Sequence, residues 1–231
     1  AGIERMYGKD SRENGGELDP DVMYYITLYN ENYPMPALPE GRDEEFEAGA
    51  VRGLYKWADA PEGPGKRATI LFSGISHAAA REAADELAEH YDVAAELWSA
   101  TSYKKLREEA LAVERTNRLH PSREAERPLV TRLLDESAGP ITAVSDYMKL
   151  VPEQVARFVP DGRPFHVLGT DGMGRSDTRE ALRDFFEIDA GHVVVTVLTG
   201  LLEAGEIDAS VVQDAIQRYD IDPDAVDPYL V

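Results

Sequence analysis

The chain has 231 residues, enough for one large domain or a domain with a piece of another, and 43% of them are apolar. Its 44 Asp and Glu against 24 Lys and Arg leave a formal charge of −20, a surface that repels phosphate backbones and argues against nucleic acid or anionic membranes as partners. No apolar run approaches the ~20 residues of a bilayer span, and the absence of Cys excludes disulfides, thiolate chemistry and cysteine-bound metal.

The residues at the N-terminus show no signal-peptide core and no initiator methionine, so a fragment or processed product with a cytoplasmic location is expected. Val22 to Tyr29, rich in aromatic and β-branched residues, predicts a buried strand. Pro34, Pro36 and Pro39 then rule out helix or central strand, which makes Asn30 to Pro39 an extended linker. The division predicted from it is 1–44 and 45–231.

Val51 to Trp57 reads as an edge strand and Thr69 to Phe72 as a short buried one. Ser76 is placed to cap a helix with Ala80, Ala83, Ala84, Leu87 and Ala88 on one face. Val93 to Trp98 predicts the next strand, and Ser102 the start of a helix carrying Leu106, Leu111 and Val113. Pro128 opens a helix that Ala138-Gly139-Pro140 breaks, Ile141 to Val144 is a strand, and Met148 to Val159 a helix. Phe165 to Leu168 is the last strand, followed by an Asp177/Glu180 capping box before Leu182, Phe185 and Phe186. His192 to Ala204 has β-branched content but helical spacing, with Gly205 as its stop, so helix is predicted; Asp208 caps another. The alternation implies an α/β fold, a mostly parallel sheet with helices on both faces.

Leu168-Gly-Thr-Asp-Gly-Met-Gly-Arg-Ser-Asp177 holds the ingredients of an anion cradle: glycines, an arginine and a helix start after a strand. It lacks the dinucleotide fingerprint, however, and Asp171, Gly172, Gly174, Arg175 and Asp177 are read as a structural turn in which Arg175 pairs with carboxylates. Nor does it match the Gly-Asp-Gly motif for diphosphate and magnesium, because Thr170 precedes the Asp and Val195 to Gly200 lacks an Asn-Asn pair. None of the five histidines has i, i+4 metal spacing. His77, His120 and His166 are read as packing or capping residues. No nucleophile elbow or P-loop occurs.

Longer stretches carry a further signal. Gly2 to Gly8, Tyr24 to Tyr33, Met35 to Gly41, Val144 to Leu150 with Glu153-Gln154-Val155, and Leu168 to Arg179 closely resemble, in order, the homodimeric pyruvate dehydrogenase decarboxylase family. The resemblance implies a transketolase-like enzyme of three α/β domains, with 1–44 the end of the middle domain plus linker and 45–231 the transketolase-like C-terminal domain. It implies thiamine diphosphate and Mg as cofactors of the complete enzyme, with pyruvate decarboxylated and an acetyl group passed to a lipoyl-bearing acetyltransferase partner. The cofactor-gripping segments belong elsewhere in that family, so no cofactor is expected on this chain alone, which is assigned a structural, dimer-packing role. Asn30, Glu31, Asn32 and Tyr33 follow the strand where related enzymes place substrate-contacting polar residues, and they are the candidate substrate-channel segment. Two rival readings are an autonomous, non-catalytic assembly or regulatory module and a transketolase-like sugar enzyme. Asn30-Glu31-Asn32 offers no basic phosphate contact for the second of these.

Overall fold

The computed structural model describes residues 23–26, 28, 32–34 and 43–231. The chain divides into two compact units, Ala1–Gly41 and Arg42–Val231. Every helix and strand among the described residues lies in the second, and its first helix, α1 (Asp43–Arg52), spans the position where the sequence divides the domains.

The second unit is built on a five-stranded sheet in the order β1-β3-β2-β4-β5. β2 (Lys66–Phe72), β3 (Val93–Ala100), β4 (Ile141–Val144) and β5 (Phe165–Leu168) are parallel, and β1 (Leu54–Ala58) joins the β3 edge antiparallel. Residues 68–72 of β2 are all buried, as a strand covered on both faces requires. Ala68, Ile70 and Phe72 enter one core and Leu71 the other.

Over the first face lie α2 (His77–His90), α7 (Ala190–Glu203) and, packed outside it, α8 (Ala209–Arg218). The buried Ala80, Ala83 and Ala84 keep α2 slender, while Val193, Val194, Val197, Leu198 and Leu201 fill the space beside it. The other face is covered by α3 (Tyr103–Leu119), α4 (Leu129–Asp135), the single turn α5 (Leu150–Glu153) and a 3₁₀ turn at Ala156–Phe158. Each fully buried Leu, Val or Ile contributes about 1.5–3 kcal/mol, so these two layers hold the sheet. The stretch Arg179–Glu203 is apolar and long enough in composition to cross a membrane. It is in fact two helices, α6 (Arg179–Phe185) and α7, and α7 spends its apolar face on the core.

Several expectations need correction. Met23–Ile26 and Leu28 form no strand and are exposed, Tyr25 by 92%; Val22, Thr27 and Tyr29 lie outside the described residues. A β-prone run becomes a strand only where a neighbour completes its hydrogen-bond ladder. Val51 and Arg52 belong to α1, and the edge strand starts after Gly53. The Met148 to Val159 helix is broken into α5 and the 3₁₀ turn. Pro152 lies inside α5 and has no N–H, and Val155 turns back to the Pro152 carbonyl in a tighter three-residue step. Ser76 and Asp208 occupy N-cap positions but make no side-chain cap bond, whereas Ser102 accepts from the Lys105 amide at 3.2 Å.

Candidate functional site

Open α/β sheets present ligand-facing groups beyond the carboxyl ends of their parallel strands. Here that rim closes on itself. Ser73 after β2 donates through Oγ to Ser145 Oγ after β4 at 2.8 Å, and Ser145 Oγ accepts from the Tyr147 amide at 3.1 Å. The loop after β5 is tied to the loop after β4 by Thr170 N to Tyr147 O (2.9 Å) and Thr170 Oγ1 to Asp146 O (3.0 Å). The Lys149 amide donates to Asp171 Oδ2 at 3.0 Å.

Gly172 has φ +100°, and a Cβ there would collide with the Pro228 carbonyl, which brings the C-terminal turn Pro228–Leu230 onto the same loop. Gly174 faces open space. The Arg175 guanidinium lies over the Phe185 ring, 4.2 Å from its centroid, and not in the carboxylate pairing expected from sequence. A planar cation stacks well on an aromatic face, and Phe185 on α6 is held within reach. Asp177 is not the helix cap: its Oδ1 accepts from the Thr178 amide at 2.7 Å, and Thr178 Oγ1 caps α6 by accepting from Ala181 N at 3.3 Å. Thr178 has the extended backbone that a cap requires, one residue later than the sequence pattern suggests.

A diphosphate–magnesium group does not fit this turn. Asp171 Oδ2 accepts from the Lys149 amide, and Gly172 is backed by the C-terminal turn, so the turn is held by its own neighbours. Residues 195–200 lie inside α7, where Thr196 and Thr199 return their hydroxyls to the carbonyls of His192 (2.7 Å) and Val195 (2.8 Å).

Clefts among the described residues lie elsewhere. One of about 500 Å³ lies between α1, β1 and α4, with Leu54 and Trp98 below and Arg52, Lys56, Asp59 and Glu136 around it. Partial burial works against the Lys56 charge, but the bond to Glu96 (3.0 Å) outweighs it and raises the ammonium pKa. The other, about 320 Å³, lies between the first turns of α2 and α7 and is bordered by Glu82, Glu180, Arg183 and Asp189.

Beside it, Asp189 caps α7 through the His192 amide (2.9 Å) and also meets the His192 ring, Nδ1 to Oδ1 3.0 Å. Burial opposes both charges; the mutual hydrogen bond and attraction outweigh it, raising the His192 pKa and lowering that of Asp189. Glu187 and Asp184 raise His192 further. Ligand atoms of Asp184, Asp189 and His192 lie within 4.8 Å of one another, a set of atom types able to hold a cation. The sequence signal for this pair is an N-cap Asp three residues before a His at a helix start. His166 meets Glu203 at 3.0 Å, and His77 and His120 mark the start of α2 and the end of α3.

Asn30 and Glu31 lie outside the described residues; Asn32 is exposed and Tyr33 half-buried in irregular chain.

These features define a mostly parallel α/β domain whose carboxyl rim is sealed by its own loops. The chain belongs to the transketolase-like TK C-terminal domain family, whose pattern matches residues 53–189. It is similar to the pyruvate dehydrogenase E1 component of Mycolicibacterium smegmatis, 46% identical over 222 residues, covering 96% of this chain and 22% of that protein. The Escherichia coli K12 pyruvate dehydrogenase E1 component is 44% identical over 229 residues, 99% of this chain and 24% of that one. The chain therefore spans under a quarter of the length of these relatives. A solved split-gene transketolase, an inactive beta4 tetramer, is 24% identical over 64% of this chain and 42% of that one, with TM-score 0.43.

Proposed function

We propose that this chain is the C-terminal part of a pyruvate dehydrogenase E1 component. The observation that carries the reading is 44% identity over 99% of the chain to one such protein, with the aligned residues extending well beyond the family-matched region on both sides. In this reading the complete protein is a cytoplasmic homodimer that decarboxylates pyruvate with thiamine diphosphate and Mg and transfers an acetyl group to a lipoyl-bearing acetyltransferase. When bound, the cofactor supplies the electron sink for decarboxylation; the domain described here supplies packing and shape.

The closed rim supports a structural role for the chain by itself, since Asp171 and the surrounding amides are already bonded to one another. The test compares the protein encoded by the complete gene with the 231-residue chain. Pyruvate-dependent release of carbon dioxide by the first and none by the second is the expected result, with no calorimetric heat when the chain meets thiamine diphosphate and Mg. Turnover of sugar phosphates in place of pyruvate would overturn the assignment, and micromolar cofactor binding by the chain would overturn its structural role.

A further inference from the structure

Charge is spread unevenly along this acidic chain. Residues 103–132, which are α3, the loop after it and the start of α4, hold eight Lys and Arg against five Asp and Glu, whereas the whole chain holds 24 against 44. All eight bases are exposed. Lys104, Arg107, Arg115 and Arg118 recur at helical spacing around the half-buried Leu111. They share a face about 80° wide that runs about 21 Å along α3. Tyr103, Leu106 and Ala110, on another side of the same helix, are buried in the core, which leaves the basic face to solvent.

The acids beside this face do not cancel it. Glu108 is engaged by Lys104 at 3.5 Å, and Glu114 by Arg157, which reaches it from the 3₁₀ turn at Ala156–Phe158. Glu109 accepts from the Leu129 amide at 2.9 Å. Arg107, Arg115, Arg118 and Arg123 make no ion pair among the described residues, in a chain of 44 acids. Asn117 bonds the Glu126 backbone in both directions, at 2.8 and 3.0 Å, which fastens the loop holding Arg123 to the end of α3.

Shape and field choose among anions. A stripe about 21 Å long exceeds one small anion, and none of its residues lines either cleft. A nucleic-acid duplex or a membrane stays anionic past the ends of the stripe, where it would meet the acid-rich remainder of the surface. A short acidic stretch of protein can end where the stripe ends. At about 0.1 M salt, charges beyond about 10 Å are screened, so such a stretch responds to the stripe and not to remote acids. Six of the eight bases are Arg, whose fork grips carboxylates and which interfaces favour over Lys.

We propose that this face of α3 docks an acidic segment of a partner protein, its carboxylates meeting Lys104, Arg107, Arg115, Arg118 and Arg123. Such docking is independent of the reaction that the complete protein performs.

Fluorescence anisotropy with a labelled helical peptide of about 16 residues, glutamate at every third or fourth position, provides the test. It is run on the 231-residue chain and on the protein encoded by the complete gene. At about 0.1 M NaCl both should bind with a Kd of about 10–100 μM, and about 0.5 M NaCl should weaken binding at least about fivefold. Arg107→Glu/Arg115→Glu should weaken it at least about tenfold with circular dichroism unchanged. Arg81→Glu/Arg218→Glu, equal in charge but on helices over the opposite face of the sheet, should bind within about threefold of wild type. Arg118→Glu with Arg123→Glu gives the same reading should the first variant fail to fold. Equal loss in the on-stripe and off-stripe pairs assigns binding to net charge and overturns the proposal. Peptide binding by the 231-residue chain alone overturns it too, since the stripe is then covered in the complete protein. Absence of binding at roughly 1 mM, or tighter binding of duplex DNA or phosphatidylserine vesicles than of the peptide, has the same consequence.

Discussion

Asp177 and Thr178 differ by one position and by what their side chains hold. Thr178 Oγ1 satisfies the Ala181 amide, an N–H with no partner inside α6, whereas Asp177 bonds only the exposed amide next to it. Thr178→Ala should therefore lower stability by about 1 kcal/mol and Asp177→Ala by clearly less, read from urea midpoints. The Asp189–His192 pair makes a prediction in pH. The raised His192 pKa gives stability that is complete below the unfolded value of about 6.5 and lost as pH climbs through the folded one. The depressed Asp189 pKa gives stability present above about 3.9 and lost as pH falls through its own folded value. Melting temperature should thus hold between about pH 4 and 6.5 and decline above, and His192→Gln should flatten the alkaline decline. A decline of equal slope in the variant would assign the effect to other groups.

At the scale of elements, Arg163 joins parts that sequence reading treats separately. Its Nε donates to Gly139 O at 2.6 Å, Nη1 to Leu134 O at 2.6 Å and Ser137 Oγ at 2.8 Å, and Nη2 to Thr69 Oγ1 at 3.0 Å. One guanidinium thereby closes the end of α4, the turn into β4 and the middle of β2. Lysine keeps the charge but not the fork, so Arg163→Lys should cost about 2 kcal/mol in chemical denaturation. Nothing local marks this residue, because its partners are 24 or more positions away. The parallel strands were legible: Thr69 to Phe72 and Ile141 to Val144 are apolar or β-branched runs bounded by Gly or Pro, and the structure buries them. Helix α7 was legible against its own valines, since Val194, Val197, Leu198 and Leu201 keep helical spacing and all four are buried. The break in 148–159 was not, because Pro152 fits both a first-turn proline and a stop. Of the candidate turn, the glycines signalled its position, but its closure depends on Pro228, which is brought there only by the fold.

Across the whole molecule the −20 charge opposes compaction, since folding brings the acids closer together. Most of these acids are exposed, so salt screens their repulsion over about 8 Å at physiological strength and about 3 Å at 1 M. The melting temperature should rise from 0.1 to 1 M NaCl, and by less in a variant with several exposed helix acids, among them Glu82 and Glu89, changed to Gln. An equal rise in both would assign the gain to salting-out of apolar surface instead. The order of the strands has a consequence for how the molecule comes apart. β2 has a neighbour on each side, seven register pairs with β3 and four with β4, whereas β5 is held on one side by four. Thermal fluctuations that release β5 and the terminal turn leave the central ladder closed, so amide protons of Ile70 to Phe72 reach solvent only when the entire unit unfolds, while those of β5 exchange through cheaper local openings.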